Sequence, residues 1–422
     1  MVNHFNKSNS QKKIVVAMDS FKGSLTSLEA GNAVRDGILE RYPDVDVQIF
    51  PVADGGEGTV EALTFGKEHV QTRTIPVTGP VGTEVSARYT IYEQAGEKTA
   101  VLEMAQAAGL PLVPEERRNP MHTTTYGVGE MIRDAITCGC QKFILGIGGS
   151  ATNDAGIGML QALGFHFMDE AGREVGYGAE GLAQVRSITT EKVMPELASC
   201  TFQIACDVTN PLVGAQGCSA VFAPQKGADA KMVQAMDVAM NRYADIVENT
   251  YRKNPALMEN QLTGYDEADR NVEKNDRQSY DKNRMTPGAG AAGGLGYACL
   301  MFLHAALKPG IDIVLDEIQI AQAIQTADAV ITGEGRFDAQ TLMGKTPIGV
   351  ARIAKSYEVP VYAFARCFGA DVQVCIDSGV FAGCYAASAA STEEEKRLAM
   401  EKRHAYANLK ACVKSHFCTE NN

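Results

Sequence analysis

Acidic side chains recur just beyond short apolar runs in this chain. Asp19 follows the run 14–18, Asp54 follows 47–53, Asp207 follows 202–206 and Glu334 follows 329–332, each with Gly, Ser or Thr close by. If those runs are strands of an open α/β sheet, the acids lie outside the strands' carboxyl ends, where ligands bind. Carboxylates there could ligate Mg²⁺ or accept a proton from a hydroxyl; the plainer role for any one of them is to cap the following helix. A second group of residues is rich in glycine. In Gly146-Ile147-Gly148-Gly149-Ser150-Ala151-Thr152-Asn153-Asp154 the missing Cβ atoms let backbone approach a ligand. Backbone N–H groups at a helix start attract phosphate oxygens. Ser150 and Thr152 add hydroxyl donors, and Asn153 stands beside them. A tight turn without a ligand would use the same residues. The segments Asp54-Gly55-Gly56-Glu57-Gly58-Thr59 and Gly288-Ala289-Gly290-Ala291-Ala292-Gly293-Gly294 have the same character, and together the three describe a cleft lined with backbone amides.

Cations are embedded in these loops. Lys22 lies in Asp19-Ser20-Phe21-Lys22-Gly23-Ser24, and Arg336 and Lys345 share the segment 333–346 with Glu334 and Asp338. Phosphoryl transfer needs this mixture: cations to neutralise developing charge, carboxylates to hold Mg²⁺, and a base at the acceptor. A surface loop with ordinary ion pairs is the bland alternative. The spacings G-x-x-x-x-G-K-[ST] and G-x-G-x-x-G are both missing from the 146–154 turn. Histidine offers little: His166 and His304 sit in apolar contexts that suit packed side chains, and the other five show no metal-ligand spacing.

The elements that must position these residues follow from periodicity. Apolar runs at 14–18, 45–50, 142–147, 329–331 and 359–365 read as strands alternating with helical patterns, the signature of βαβ units and a mainly parallel sheet. Thr26 and Glu29 form a capping-box pattern that opens a helix carrying Leu28, Val34 and Ile38 inward. Thr123–Thr125 is a cap for a helix with Val128, Met131, Ile132 and Ile136, and further helices are expected at 157–163, after Pro347 and from Thr392. The segments 72–113 and 165–223 differ: 85–92 alternates by twos and turn signals interrupt it, which favours antiparallel pairing. The expected fold class is therefore α/β, with a mainly parallel sheet domain (1–70, 116–163 and 287–422) and an inserted smaller α/β domain carrying a mixed or antiparallel sheet (71–115 and 164–286). The stretch 262–286 is rich in charged residues and Asn, and reads as a solvated insertion.

The chain has 422 residues and a net charge of -12, which argues against a general binder of nucleic acid or anionic membrane. Its 11 cysteines, an odd number without zinc spacing, suit reduced thiols in the cytoplasm. The segment 285–307 lacks charge, but five glycines and a proline in its first half favour a loop feeding a buried helix over a membrane span.

Six segments carry a resemblance: 17–23 (Ala17 to Gly23), 53–59, 148–156, 206–212, 288–296 and 332–338. In order and in wording they resemble the signature segments of the bacterial type-1 glycerate kinase family, from about Lys12 to the terminal helix. The resemblance implies a Rossmann-like domain with a smaller α/β domain, the site between them, and ATP- and Mg²⁺-dependent phosphorylation of D-glycerate, with 2-phosphoglycerate favoured over 3-phosphoglycerate. Such an enzyme would act in the breakdown of glycerate, glyoxylate or sugar acids. On that reading Asp207 is the base near the acceptor hydroxyl, with Asp19 as runner-up, and Lys22 pairs with the glycerate carboxylate or the moving phosphoryl group. Ser20, Gly148, Gly149, Ser150, Thr152, Asn153, Arg336 and Lys345 bind substrate or phosphate, and Asp54, Glu57, Glu334 and Asp338 are the Mg²⁺ candidates. Two departures stand out: the polar stretch 262–286 is longer than the family's connection, and Arg366 occupies a strand end where the family tends to have glycine, either crowding that end or supplying a cation. A nucleotide-dependent oxidoreductase and a non-catalytic anion-binding protein are the competing readings.

Overall fold

A computed structural model of the chain describes residues 12–56, 58–253, 284–342, 344–388, 397–398 and 400–417. Its strands are β1 (Lys13–Met18), β2 (Asp46–Ile49), β3 (Glu68–Thr78), β4 (Glu84–Gln94), β5 (Glu97–Glu103), β6 (Lys142–Gly146), β7 (His166–Met168), β8 (Ser187–Thr189), β9 (Thr201–Ala205), β10 (Ala306–Lys308), β11 (Ala329–Phe337), β12 (Val361–Phe368) and β13 (Gly383–Ala386). The chain divides into two units: Met1–Gly66 with Pro309–Asn422, and Lys67–Lys308.

The first unit is built on a parallel five-stranded sheet in the order β13-β12-β11-β1-β2. Alternate residues of a strand point to opposite faces. Ile14, Val16 and Met18 accordingly join a core with Val34, Ile38, Leu409 and Val413. Val15 and Ala17 join a second core with Ile311, Leu315 and Val350. Both faces are covered, which is why β1 reads as an unbroken apolar run. The capping box is formed: Glu29 N–H donates to Thr26 Oγ1 (3.3 Å) and Thr26 N–H to Glu29 Oε2 (3.1 Å), starting the helix Ser27–Leu39. From β1 the chain steps to β2 on one side, whereas β11, β12 and β13 lie on the other. The strand order therefore reverses between β1 and β11, the position where open α/β sheets form a ligand crevice.

The second unit holds a six-stranded mixed sheet in the order β10-β9-β6-β5-β4-β3. β10, β9, β6 and β5 are parallel, and β4 runs antiparallel to both β5 and β3. A small antiparallel pair, β7 with β8, stands apart from it.

The mixed sheet agrees with expectation, but the boundaries do not. Residues 116–163 and 287–308, read from sequence as part of the parallel domain, belong to the second unit, because β6 pairs with β5 and β9. The inserted unit is thus the larger of the two, not the smaller. Apolar periodicity tells that a strand is covered on both faces; it does not tell which sheet the strand joins. Two expectations fall on other ground: residues 262–283 and 392–396 lie outside the described residues, and the terminal helix is described over Lys402–His416. The uncharged segment 285–307 does feed a buried helix, Ala291–Phe302. Among the described residues no helix is long and apolar enough to cross a membrane.

Candidate active site

Three of the strand-end acids meet in the first unit at the reversal between β1 and β11. Asp19 directly follows β1 and its N–H donates to Gly333 O of β11 (2.8 Å). Its carboxylate is 7% exposed, and both oxygens are held: Thr346 Oγ1 donates to Oδ2 (2.7 Å) and Ser20 N–H to Oδ1 (2.6 Å). Burial raises the Asp19 carboxyl to about 7, with Asp54 and Glu334 pushing the same way and the Thr346 and Ser20 bonds opposing. Glu334 lies within β11, one step further along than the sequence suggested, because that strand runs on to Phe337. Thr341 Oγ1 donates to Glu334 Oε1 (2.7 Å) and Lys345 Nζ is 3.6 Å from Oε2. Its carboxyl too is raised, first by burial and further by Asp338 and Asp54.

The other residues of this unit are less enclosed. Among the described residues Asp54 accepts one bond, from Gly56 N–H (3.3 Å). Asp338 is held by Arg336 Nε (3.4 Å) and by Gln340 N–H (3.0 Å). Lys22 is exposed, and its carbonyl accepts a bond from Arg366 Nη1 (3.1 Å). Arg366 thereby fastens the Lys22 turn to β12. Ser20 Oγ is buried without a partner among the described residues. The result is a cluster of negative charge with the Ser20 hydroxyl among it and cations at its edge. No three His, Cys, Asp or Glu side chains among the described residues are arranged to hold a metal ion, so the expected ligand set of Asp54, Glu334 and Asp338 is not assembled as a cage. Glu57 lies outside the described residues. Mg²⁺ asks for less than a cage, since it binds through one or two carboxylates, water and substrate phosphates. Asp54, nearly unengaged beside two acids that repel it, fits that demand.

The remaining predicted residues belong to the second unit. Gly148 and Gly149 are exposed after β6, whereas Ser150, Thr152 and Asn153 turn inward. This loop does not start a helix directly; Ile157–Ala162 begins only after Gly156. The intervening turn is held by Asp154, fully buried, which accepts bonds from Thr125 N–H and Oγ1 (2.9 Å each) and from Gly156 N–H (3.0 Å). Thr125 thus reaches across to Asp154 and makes no side-chain cap for its own helix. Asn153 Nδ2 donates to Ser219 Oγ (3.0 Å), while Asn153 Oδ1 and Thr152 Oγ1 are buried without partners among the described residues. The segment 288–294 lines no open cleft: it is buried, and a Cβ at Gly293 (φ +68°) would sit 2.1 Å from Thr152 O. Its glycines let it lie directly beneath the Thr152–Ala155 backbone, where Ala155 N–H donates to Gly293 O (3.0 Å). Asp207 is exposed in the loop after β9.

One residue was missed altogether. Lys226 is 2% exposed and points into the 148–154 loop, with Nζ donating to Ser150 Oγ (2.8 Å) and Thr152 O (2.7 Å). It sits in Pro224-Gln225-Lys226-Gly227, which reads as a polar surface turn; only the glycine after it hints otherwise. Gly227 (φ +98°) brings the backbone so close to Arg118 that a Cβ would lie 2.2 Å from its carbonyl oxygen, which turns the lysine inward.

Comparison with known proteins gives the family. The glycerate kinase family profile matches residues 14–417. A glycerate kinase from Haemophilus influenzae is 44% identical over 370 residues, 87% of this chain and 89% of that protein. A glycerate 2-kinase from Escherichia coli K12 is 42% identical over 368 residues, 87% and 88% of the two chains. The crystal structure of a candidate glycerate kinase 2 from Salmonella typhimurium LT2 matches with a TM-score of 0.77 at 38% identity, covering 97% of this chain and 100% of that one. With its described core, strand-end acids and glycine loops inside the matched span, the chain belongs to the glycerate kinase family, and it is a phosphotransferase.

Proposed function

We propose that the protein transfers the γ-phosphoryl group of ATP to a hydroxyl of D-glycerate and releases 2-phosphoglycerate. The observation that carries this reading is the buried Asp19 carboxylate at the strand-order reversal, aimed by Thr346 and Ser20 and flanked by Asp54 and Glu334. A base must be fixed within hydrogen-bond reach of its proton, and a side chain bonded at both oxygens costs little to orient. Asp19 accordingly takes the acceptor hydroxyl's proton in preference to Asp207, which is exposed on its loop. Lys22, with its turn fastened by Arg366, pairs with the glycerate carboxylate or the moving phosphoryl group. Arg336 and Lys345 stand ready for further negative charge, each already beside a carboxylate.

Asp54 would hold Mg²⁺ together with water and the nucleotide, and the ion when bound neutralises charge on the phosphate oxygens. Glu334 and Asp338, engaged by Lys345 and Arg336, would reach it only through water. In the second unit the exposed amides of Gly148 and Gly149 and the Ser150 hydroxyl bind anionic oxygens. Ten described cysteines are free thiols, which suits a reducing, cytoplasmic setting.

The choice of the 2-hydroxyl follows the naming of the Escherichia coli relative. Incubation with MgATP and D-glycerate, followed by ³¹P NMR, tests the whole reading. A 2-phosphoglycerate resonance and stoichiometric ADP are expected. A 3-phosphoglycerate resonance overturns the choice of hydroxyl, and no glycerate-dependent ADP overturns the kinase.

A further inference from the structure

A lysine ammonium offers three hydrogens and accepts none. Lys226 spends two, on Ser150 Oγ and Thr152 O, and among the described residues no carboxylate lies within ion-pair distance of it. Asp154, which pulls on the Lys226 charge, has its oxygens taken up by Thr125 and Gly156. A positive charge this deeply buried is costly unless something anionic completes its surroundings. The bond to Ser150 has a direction as well: because Lys226 donates, Ser150 Oγ accepts, and the serine's own hydrogen is left to point elsewhere. Ser150 makes no other side-chain hydrogen bond among the described residues. Beside it the buried Thr152 hydroxyl has no partner among the described residues. The turn thus holds an unspent hydrogen on Ser150 beside the exposed residues Gly148 and Gly149, and, deeper in, the unpaired Thr152 hydroxyl and Asn153 Oδ1.

We propose that Lys226 is a positioning residue which fixes Ser150 as a hydrogen-bond donor, so that the pair forms a receptor for an anionic substrate oxygen, carboxylate or phosphate. Lys226 acts through Ser150 and through the Thr152 carbonyl, which keeps the loop in its inward turn. The lysine supplies charge from behind while Ser150 makes the contact in front. The proposal rests on the kinase reading for the identity of the anion; its geometry does not.

The experiment measures equilibrium binding of ATP and of D-glycerate separately by titration calorimetry, on the wild type, Lys226→Met and Ser150→Ala, with steady-state kinetics on the same samples. A hydrogen bond to a charged group predicts that one ligand, and only one, binds roughly tenfold more weakly in both variants, with KM for that ligand rising in step and kcat changing less. The double variant should be no worse than the worse single one, since the two side chains act as a unit. The affected ligand tells whether the oxygen belongs to a phosphate or to the glycerate carboxylate. Unchanged affinity for both ligands in Ser150→Ala overturns the proposal, as does an equal loss for both. If Lys226→Met fails to fold, Ser150→Ala alone decides. A wild type that binds these anions but makes no phosphoglycerate sinks the kinase reading and leaves the receptor standing.

Discussion

In the five-stranded unit the chain gathers carboxylates where its strand order reverses, and burial makes them reluctant to ionise. In the six-stranded unit the strand order runs 10-9-6-5-4-3 without reversal, and the polar turn after β6 is organised around a buried cation and hydroxyls. Both place their chemistry beyond the carboxyl ends of parallel strands. They differ in what opens the space: a topological gap in one, a lysine pushed in from a neighbouring turn in the other. The pairing teaches that a strand end becomes a site only when something keeps its loop from closing into an ordinary turn. On the proposed reading it also divides the labour, with proton acceptance and cation binding assigned to the first unit and anion binding to the second.

The sharpest test of that division is Asp19→Asn. Loss of a general base should lower kcat by about 10²–10⁴. The same change should raise stability at neutral pH. With its carboxyl raised to about 7, folded Asp19 holds a proton that the unfolded chain has already released, so its contribution falls as pH climbs from the ordinary carboxylate range to neutrality. The Tm gain of Asp19→Asn over wild type should therefore grow between pH 5 and pH 8, reaching roughly 2–6 °C. Near-normal turnover in Asp19→Asn with collapse in Asp207→Asn would reverse the choice of base.

Thr346→Ala is expected next. It removes the hydroxyl that donates to Asp19 Oδ2 and should cost roughly tenfold in kcat, the scale of a hydrogen bond to a charged group. Little change in KM for either substrate should accompany it, because the threonine's hydroxyl is spent on Asp19.

The opposite polarity of the second unit gives an opposite pH signature. Burial lowers Lys226 to about 8, against the pull of Cys218 and Asp154, its titratable neighbours. Above that pH the unfolded chain binds the proton more tightly than the folded one, so the cost of burying the charge is relieved as pH rises toward the ordinary lysine range. Circular-dichroism melts should show wild type gaining on Lys226→Met between pH 8 and pH 10, by a few degrees. A gap that stays constant across that window would break the symmetry drawn above. The smallest effect belongs to Arg366→Ala, which loosens the Lys22 turn without touching the acids; KM for one substrate should rise about threefold, the scale of one exposed hydrogen bond.

Much of the acidic site was legible because strand ends announce themselves: an apolar run, then Asp beside Ser or Gly, repeated after β1 and before the helix at Thr59. Thr26 and Glu29 likewise carry their own geometry. What could not be read depends on contacts distant in sequence. Asp19 gets its orientation from Thr346, 327 residues away, and Ser150 its partner from Lys226, 76 residues away. The Gly288–Gly294 run announced close backbone approach correctly, but the backbone it approaches is its own chain at Thr152 rather than a ligand. Assignment of β6 to the wrong sheet has the same origin, since its neighbours are chosen by packing and not by its own residues.

The placement of β1 carries one more consequence, for the order in which a nascent chain can fold. β1 is an interior strand of its sheet, yet the partner on one side, β11, is encoded 315 residues later: Thr332 Oγ1 donates to Ala17 O across that interval. During synthesis the whole of Lys67–Lys308 leaves the ribosome first, so it is free to collapse while Ile14–Met18 still waits with one edge bare. An apolar, β-branched edge left waiting is a hazard for stray pairing. Ribosome-bound chains arrested before Ala329 should accordingly be the most dependent on chaperones, and release of the segment that follows should end that dependence.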